Sequence, residues 1–361
     1  MHKTFVFLAI QLMALTTCCG QNNTTSAHRI FAGTGKQVKN LEPYPAGTPA
    51  GPAANLAIGN PFGIEFSENS VWITSVDDHC VYRGKINGQK LHRVAGNGLP
   101  GYTGDGGPAE EATFNWPHEV RADSAGNLFI ADTRNHTIRH VDKVSGIVTT
   151  LAGSGQPGMS GDGARGSEIE FNQPHSVVLD GKGGLLVADT GNHRICRIDL
   201  ATGVMKTISG TGEKQLPSDG GSSLHSTLAG PRSLAVDKDY IWIALREGNS
   251  IWRIQRQTKT IHHVAGTGKK GYTGDKGPPK DATFRGPKGL VLDDLGRILV
   301  VDTENHAVRR IDLSLNRVDT ILGGSKSDET FLLKRPHGIA YKTTIGYVVA
   351  DSEHHRVLLG K

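Results

Sequence analysis

A proline followed at once by a histidine occurs three times, in "NWPHEV" (115–120), "NQPHSV" (172–177) and "KRPHGI" (335–340). Brought together, His118, His175 and His337 would be neutral imidazoles able to hold Zn²⁺ or a similar ion with one position open for water or substrate. Asp132, Asp189 and Asp351 are placed to orient such rings as outer acceptors. Three further prolines are followed by Phe62, Arg232 and Lys288; the two cations suit a carboxylate, sulfate or phosphate. The competing reading is structural: Pro-His begins a strand, the rings bond to loops, and Arg232 and Lys288 are solvated rim charges.

What surrounds these residues is a repeat. Pro61, Pro117, Pro174, Pro231, Pro287 and Pro336 are spaced by 56, 57, 57, 56 and 49 residues, a period that signals a propeller or solenoid. One period reads as four short strands, "HEVRAD" (118–123), "LFIAD" (128–132), "TIRHVD" (137–142) and "IVTTLAG" (147–153), separated by turn residues. Such a sheet cannot bury both faces alone, so six of them must pack radially as blades around a channel. The last period stops after its third strand, "RVLLG" (356–360), while "IFAGTG" (30–35) matches "VAGNG" (94–98), "LAGSG" (151–155) and "VAGTG" (264–268) with no strands of its own ahead of it. The expected fold is therefore all-β: a six-bladed propeller over 29–361, its last blade closed by the N-terminal strand so that no sheet edge is left free.

The units "ADTRNHTIRHVD", "ADTGNHRICRIDL" and "VDTENHAVRRIDL" resemble NHL repeats, and the "AGNG…GYTGDGGPAEEATFNWP" spacer resembles the longer connections of secreted bacterial members. The resemblance implies the same propeller but leaves function open, because NHL propellers bind proteins or RNA, act as sensors, or catalyse. The layout also resembles the lyase domain of the peptide-amidating enzyme, which implies zinc-ligand roles for His118, His175 or His337.

In a propeller the loop entering each blade and the turn between its second and third strands share one face. Adding the turn residues His79, His136, His193, His306, His354 and His355 puts nine of the 16 histidines there. The "DTxNH" turns have a structural reading too: Asp or Asn closes the turn, and an arginine such as Arg139 or Arg309 pairs with the Asp. Loops such as "GDGG" (104–107) place one carboxylate each, too few for calcium. Blades one and four break the pattern, with Ser75 and Tyr82, and Leu245 and Trp252, where others carry Asp132 and Arg139. That makes Arg246, Glu247 and Trp252 further candidates for ligand contact.

Composition narrows the partners. The 40 basic and 35 acidic residues leave a formal charge of +5 with no Lys/Arg cluster, which argues against nucleic acid. "FVFLAIQLMAL" (5–15) followed by "TTCCGQNNTTSA" reads as an export signal over 1–20 with a short linker over 21–28; lipidation of Cys18 and simple cleavage near Gly20 both stay open. The apolar run is too short to span a bilayer. Of the four cysteines, Cys80 and Cys196 read as buried strand thiols. The expected function is an exported binding module recognising a protein, peptide, glycan or small anionic ligand on its histidine-rich face. The alternative is a zinc-dependent lyase or hydrolase acting on a small anionic substrate held by Phe62, Arg232, Lys288, Arg246 and Trp252.

Overall fold

The computed structural model describes residues 28–38, 42–45, 51–88, 90–324 and 332–360. The expected export signal, Cys18 and most of the linker lie outside these. Six four-stranded antiparallel sheets form, five of them with their strands in chain order. The second blade is Pro117–Ala122, Leu128–Asp132, Thr137–Val141 and Val148–Ala152, within a residue or so of the sequence reading. Among the described residues the helical pieces are three-residue 3₁₀ turns, and no helix is long and apolar enough to cross a membrane.

The sixth sheet is closed as expected. His28–Ala32 pairs antiparallel with Arg356–Gly360, Ile30 opposite Leu358, and supplies the outer strand. One glycine shows why the segment fits only there. Each outer strand ends in a glycine whose missing side chain lets the strand lie against the carbonyl of the neighbouring turn. A Cβ on Gly96 would stand 2.2 Å from the His79 oxygen, on Gly153 2.5 Å from that of His136, and on Gly33 2.3 Å from that of His355. All three have positive φ, which a glycine adopts freely.

The core lies between the blades. Phe129, Ile138, Phe171, Val187 and Cys196 form one cluster joining blades two and three; Trp242, Ile251, Phe284 and Val300 join blades four and five. Phe114, Phe171 and Phe284, each three residues before an inner-strand proline, are fully buried wedges, worth about 1.5–3 kcal/mol apiece in burial. Cys80 and Cys196 are free and buried.

Candidate functional site

The "DTxNH" turn sets the geometry of one end of the channel. Its Asp reaches back to the loop that enters its own blade: Asp132 accepts from the Asn115 N–H at 2.7 Å, Asp189 from Asn172 at 2.7 Å and Asp351 from Lys334 at 2.7 Å. The same carboxylates pair with arginine, Asp132 with Arg139 at 3.4 Å, Asp189 with Arg194 at 2.8 Å and Asp351 with Arg356 at 2.7 Å. Arg139 and Arg309 are fully buried and complete their contacts with Asp105 at 2.7 Å and Asp275 at 2.9 Å from the glycine loops. The three Asp residues thus hold loops and arginines, and none touches the rings of His118, His175 or His337.

The turn histidine sits in the left-handed region and joins one blade to the next. The Nδ1 atoms of His79, His136, His193, His306 and His355 accept the N–H of Trp116, Gln173, Gly230, Arg335 and Asn60 at 3.0–3.3 Å. In blade four Asn249 takes the histidine's place, its Oδ1 accepting from Gly286 at 3.0 Å. Each donor is the residue before an inner-strand proline, and all six have positive φ, from 43° at Arg335 to 67° at Gly230. Left-handed backbone is costly for residues such as Trp116 and Gln173 and persists only when its surroundings fix it; the six inter-blade bonds do that. Burial lowers the basicity of His79, to about 4, and of His136, His193 and His355, keeping the rings neutral as acceptors. Apart from His354, which bonds Asp351 at 2.9 Å, the turn histidines staple the ring together.

Held by these staples, the residue after each inner-strand proline comes to the channel. Phe62, His118, His175, Arg232, Lys288 and His337 are all buried, at 6–8% exposure. One half of the circle is a stack: Phe62 lies between His337, at 3.7 Å between ring centres, and His118, at 4.8 Å, and His175 follows His118 at 4.4 Å. The other half is cationic, and the two halves are bonded to each other. Arg232 lies 3.3 Å from His118 Nδ1, and Lys288 3.0 Å from His337 Nε2.

These contacts fix the tautomers. Arginine only donates, so His118 Nδ1 accepts and its proton is on Nε2, a buried atom with no partner. A protonated Lys288 leaves His337 Nε2 as acceptor, and Nδ1–H donates towards the Arg335 carbonyl at 2.9 Å. Burial, and after it the charge of Arg232, pushes Lys288 down to about 7. Its partner Glu304, 3.3 Å away, is desolvated, but hydrogen bonds from Arg335 and the Lys288 charge bring it down to about 2. Among the described residues Arg232 has no carboxylate within ion-pair distance; Arg246 adds a further positive charge nearby, and Glu119, which lines the same cavity, a negative one beyond contact. A cavity of about 20 Å³ lies among Phe62, His118, Arg232, Lys288 and His337, room for a water-sized group.

This donor set does not fit a divalent cation. Phe62 separates His337 from His118, one nitrogen of His118 is committed to Arg232 and the other carries a proton, and two cations adjoin the rings. Among the described residues no group of three or more His, Cys, Asp or Glu is arranged to hold a metal ion. The arrangement instead offers donors and positive charge to an acceptor.

Three "NHL repeat" matches cover residues 114–141, 171–198 and 284–311, which are blades two, three and five. The chain is an NHL-repeat propeller. The remaining blades are those whose turns depart most from the pattern. In blade one Ser75 donates to the Gly59 carbonyl at 2.6 Å, while Asp78, bonded by Tyr82 at 2.6 Å, does the work of the missing Asp. In blade four Leu245 and Trp252 are core residues; the indole donates to Ser250 at 2.9 Å and packs inside the blade, away from the channel mouth. Of the further candidates, Arg246 is half exposed at the mouth and pairs weakly with Glu247 at 3.8 Å.

The channel's own charges were not legible from the residues after the prolines. Glu119 pairs with Arg121, which also meets Glu65 at 3.6 Å, and burial pushes Glu65 up to about 7. Their signal in the sequence was charge at the second and fourth positions after a proline, on strands otherwise small or apolar there.

Among relatives, this propeller is 26% identical over 344 residues to Protein SUPPRESSOR OF QUENCHING 1, chloroplastic, of Arabidopsis thaliana, covering 89% of this chain and 32% of that one. It is 30% identical over 281 residues to NHL repeat-containing protein 2 of Bos taurus, covering 67% and 38%. The chain thus spans about a third of the length of these relatives. A solved structure described as an auxiliary nutrient binding protein from Bacteroides thetaiotaomicron superposes with a TM-score of 0.64 at 15% identity, over 92% of this chain and 75% of that one; at that identity the likeness is one of fold.

Proposed function

We propose that this NHL propeller is a noncatalytic binding module working outside the cytoplasm, behind an export signal over 1–20, and that it takes an anionic ligand at the mouth formed by Phe62, His118, Arg232, Lys288 and His337. The observation that carries this reading is Arg232: a buried guanidinium with no carboxylate in contact among the described residues, beside a protonated imidazole nitrogen that has no acceptor among them. Burying a charge without a partner is costly, and a bound anion supplies that partner. The cavity admits a monatomic anion, or the end of a larger molecule whose body lies on the outer face. A carboxylate-bearing peptide or glycan has that form. The nutrient-binding description of one structural neighbour agrees with a binding role.

The test is a thermal-shift series with chloride, acetate, sulfate and phosphate at constant ionic strength, on wild type and on Arg232→Ala and Lys288→Met. Ligand binding to the folded state raises the midpoint, so at least one anion should stabilise wild type and neither variant. Equal responses in all three proteins would remove the mouth as the site. The alternative of a zinc-dependent lyase or hydrolase needs His118, His175 and His337 to converge on one ion, and Phe62 stands between two of them.

A further inference from the structure

A second cavity, of about 450 Å³, opens between blades three and four, well within the usual size of small-molecule sites. Its floor is apolar, built from Leu186, Ile208, Ile241 and Ile254. Its rim carries four cations, Lys182, Arg197, Arg256 and Lys259, against one lining carboxylate, Asp180. That carboxylate is already bound by Arg197 at 2.7 Å and by the N–H groups of Lys182 and Gly184. Arg256 gives one bond from each terminal nitrogen to a carbonyl, of Asp237 at 2.8 Å and Asp180 at 2.6 Å, which leaves further donors of its five, and among the described residues it has no carboxylate partner. Among the described residues the ammonium groups of Lys182 and Lys259 have none either.

Comparison of the repeats with one another shows what is particular to this groove. The turn between third and fourth strands carries a capping aspartate in three other blades, where Asp142, Asp199 and Asp312 bind the turn's N–H groups. Blade four has Gln255 there, so the turn has lost its negative charge. Four residues on, the left-handed position held by Gly146, Gly203 and Asn316 is taken by Lys259 at φ 61°. A lysine is strained in that conformation where glycine and asparagine are not, and strain of this kind gathers at ligand sites. Seven residues before the inner-strand proline, where the sequence has Glu110, Ser167 and Lys280, this blade exposes Leu224 at the cavity, 47% accessible. One copy of the repeat has thus lost an acid from the turn that carries Arg256 and Lys259, and at the cavity itself has exchanged a flexible turn residue for a cation and a polar residue for an exposed apolar one.

We infer that the groove between blades three and four binds a small amphipathic anion, its apolar body on Leu186, Ile241, Ile254 and Leu224 and its carboxylate at Lys259, Lys182 and Arg256. The site is separate from the channel mouth and stands whether or not the mouth binds an anion. Laurate, below its micellar concentration, is the probe, with dodecyltrimethylammonium as the cationic control, both followed by isothermal titration calorimetry. Wild type should bind one equivalent of laurate and not the cation.

Lys259→Gly restores the residue found in two other blades, so it should fold at least as well while weakening laurate about tenfold, the loss of one charge-assisted bond. Leu224→Glu, the residue of blade two, should abolish binding, and Arg232→Ala at the mouth should leave it unchanged. Four results would each overturn the assignment: no laurate binding by wild type, equal binding of the cation, full affinity in both groove variants, or loss of binding in Arg232→Ala.

Discussion

Asn249 gives the sharpest test of how the blades are joined. It is 3% exposed, lies at φ 45°, and its Oδ1 takes the Gly286 N–H at 3.0 Å where the other blades use a histidine ring. Asn249→Ala removes the acceptor and leaves a buried N–H unpaired, at a cost of about 1–3 kcal/mol. It also forces a residue with a Cβ and no compensating side-chain bond into left-handed backbone, adding about 1 kcal/mol. The total, about 2–4 kcal/mol, corresponds to a fall in thermal midpoint of about 3–5 °C, given an unfolding entropy near 2.1 cal/mol/K per residue over a chain of this length. Asn249→His installs the acceptor that the other blades use at the same positive φ, and should lose less than Ala although it gives up the two Nδ2 bonds to the Glu247 and Gly268 carbonyls. Asn249→Gly removes the side-chain bonds without the backbone strain, so its loss should fall between the two. Urea unfolding followed by intrinsic fluorescence, with thermal scans in parallel, gives the order. Equal stability of the Ala and His variants would refute the staple reading.

Two further predictions test other joints. His79 is a neutral acceptor whose folded pKa, near 4, lies below its unfolded value of about 6.5. Its contribution to stability is therefore complete above pH 6.5 and is lost as the pH falls towards 4. His79→Asn keeps an acceptor and removes the proton site, so the variant should gain on wild type in urea midpoint as the pH is lowered through that window. A constant difference from pH 7.5 to 4.5 would show that the ring takes up its proton as readily in the folded state as in the unfolded one, and so is not held as a neutral acceptor. Deleting residues 28–36 removes the outer strand of blade six together with buried Phe31 and Ala32, and should cost at least about 3 kcal/mol in urea unfolding from burial and edge exposure. An unchanged midpoint would mean the ring closes without that strand.

Much of this architecture was legible because strand alternation and turn residues recur with the blades, and because "IFAGTG" carries the glycine that a sixth turn requires. The ring of residues after the prolines was legible for the same reason: position in a repeat fixes position around the axis. Side-chain partners were not. The turn histidines were legible as residues gathered on one face, but not their partners: the N–H that His79 serves lies 37 residues later, across a blade boundary. Nor does repeat position say that Phe62 inserts between His337 and His118, which is decided by ring packing. Trp252, expected as a ligand contact, is instead buried in the core cluster between blades three and four. The groove at Lys259 is built by the turns between third and fourth strands, about which the "DTxNH" pattern at the opposite end of the blades carries no information.

Anion binding at the mouth is tested by diffraction from crystals grown in bromide, since a monatomic anion suits the cavity and is identified by its anomalous signal. An anomalous peak is expected within hydrogen-bonding reach of Arg232 and Lys288 in wild type, and none there in an Arg232→Ala/Lys288→Met double variant. Bromide found only on the outer surface in wild type, with the mouth filled by water, would contradict anion binding there.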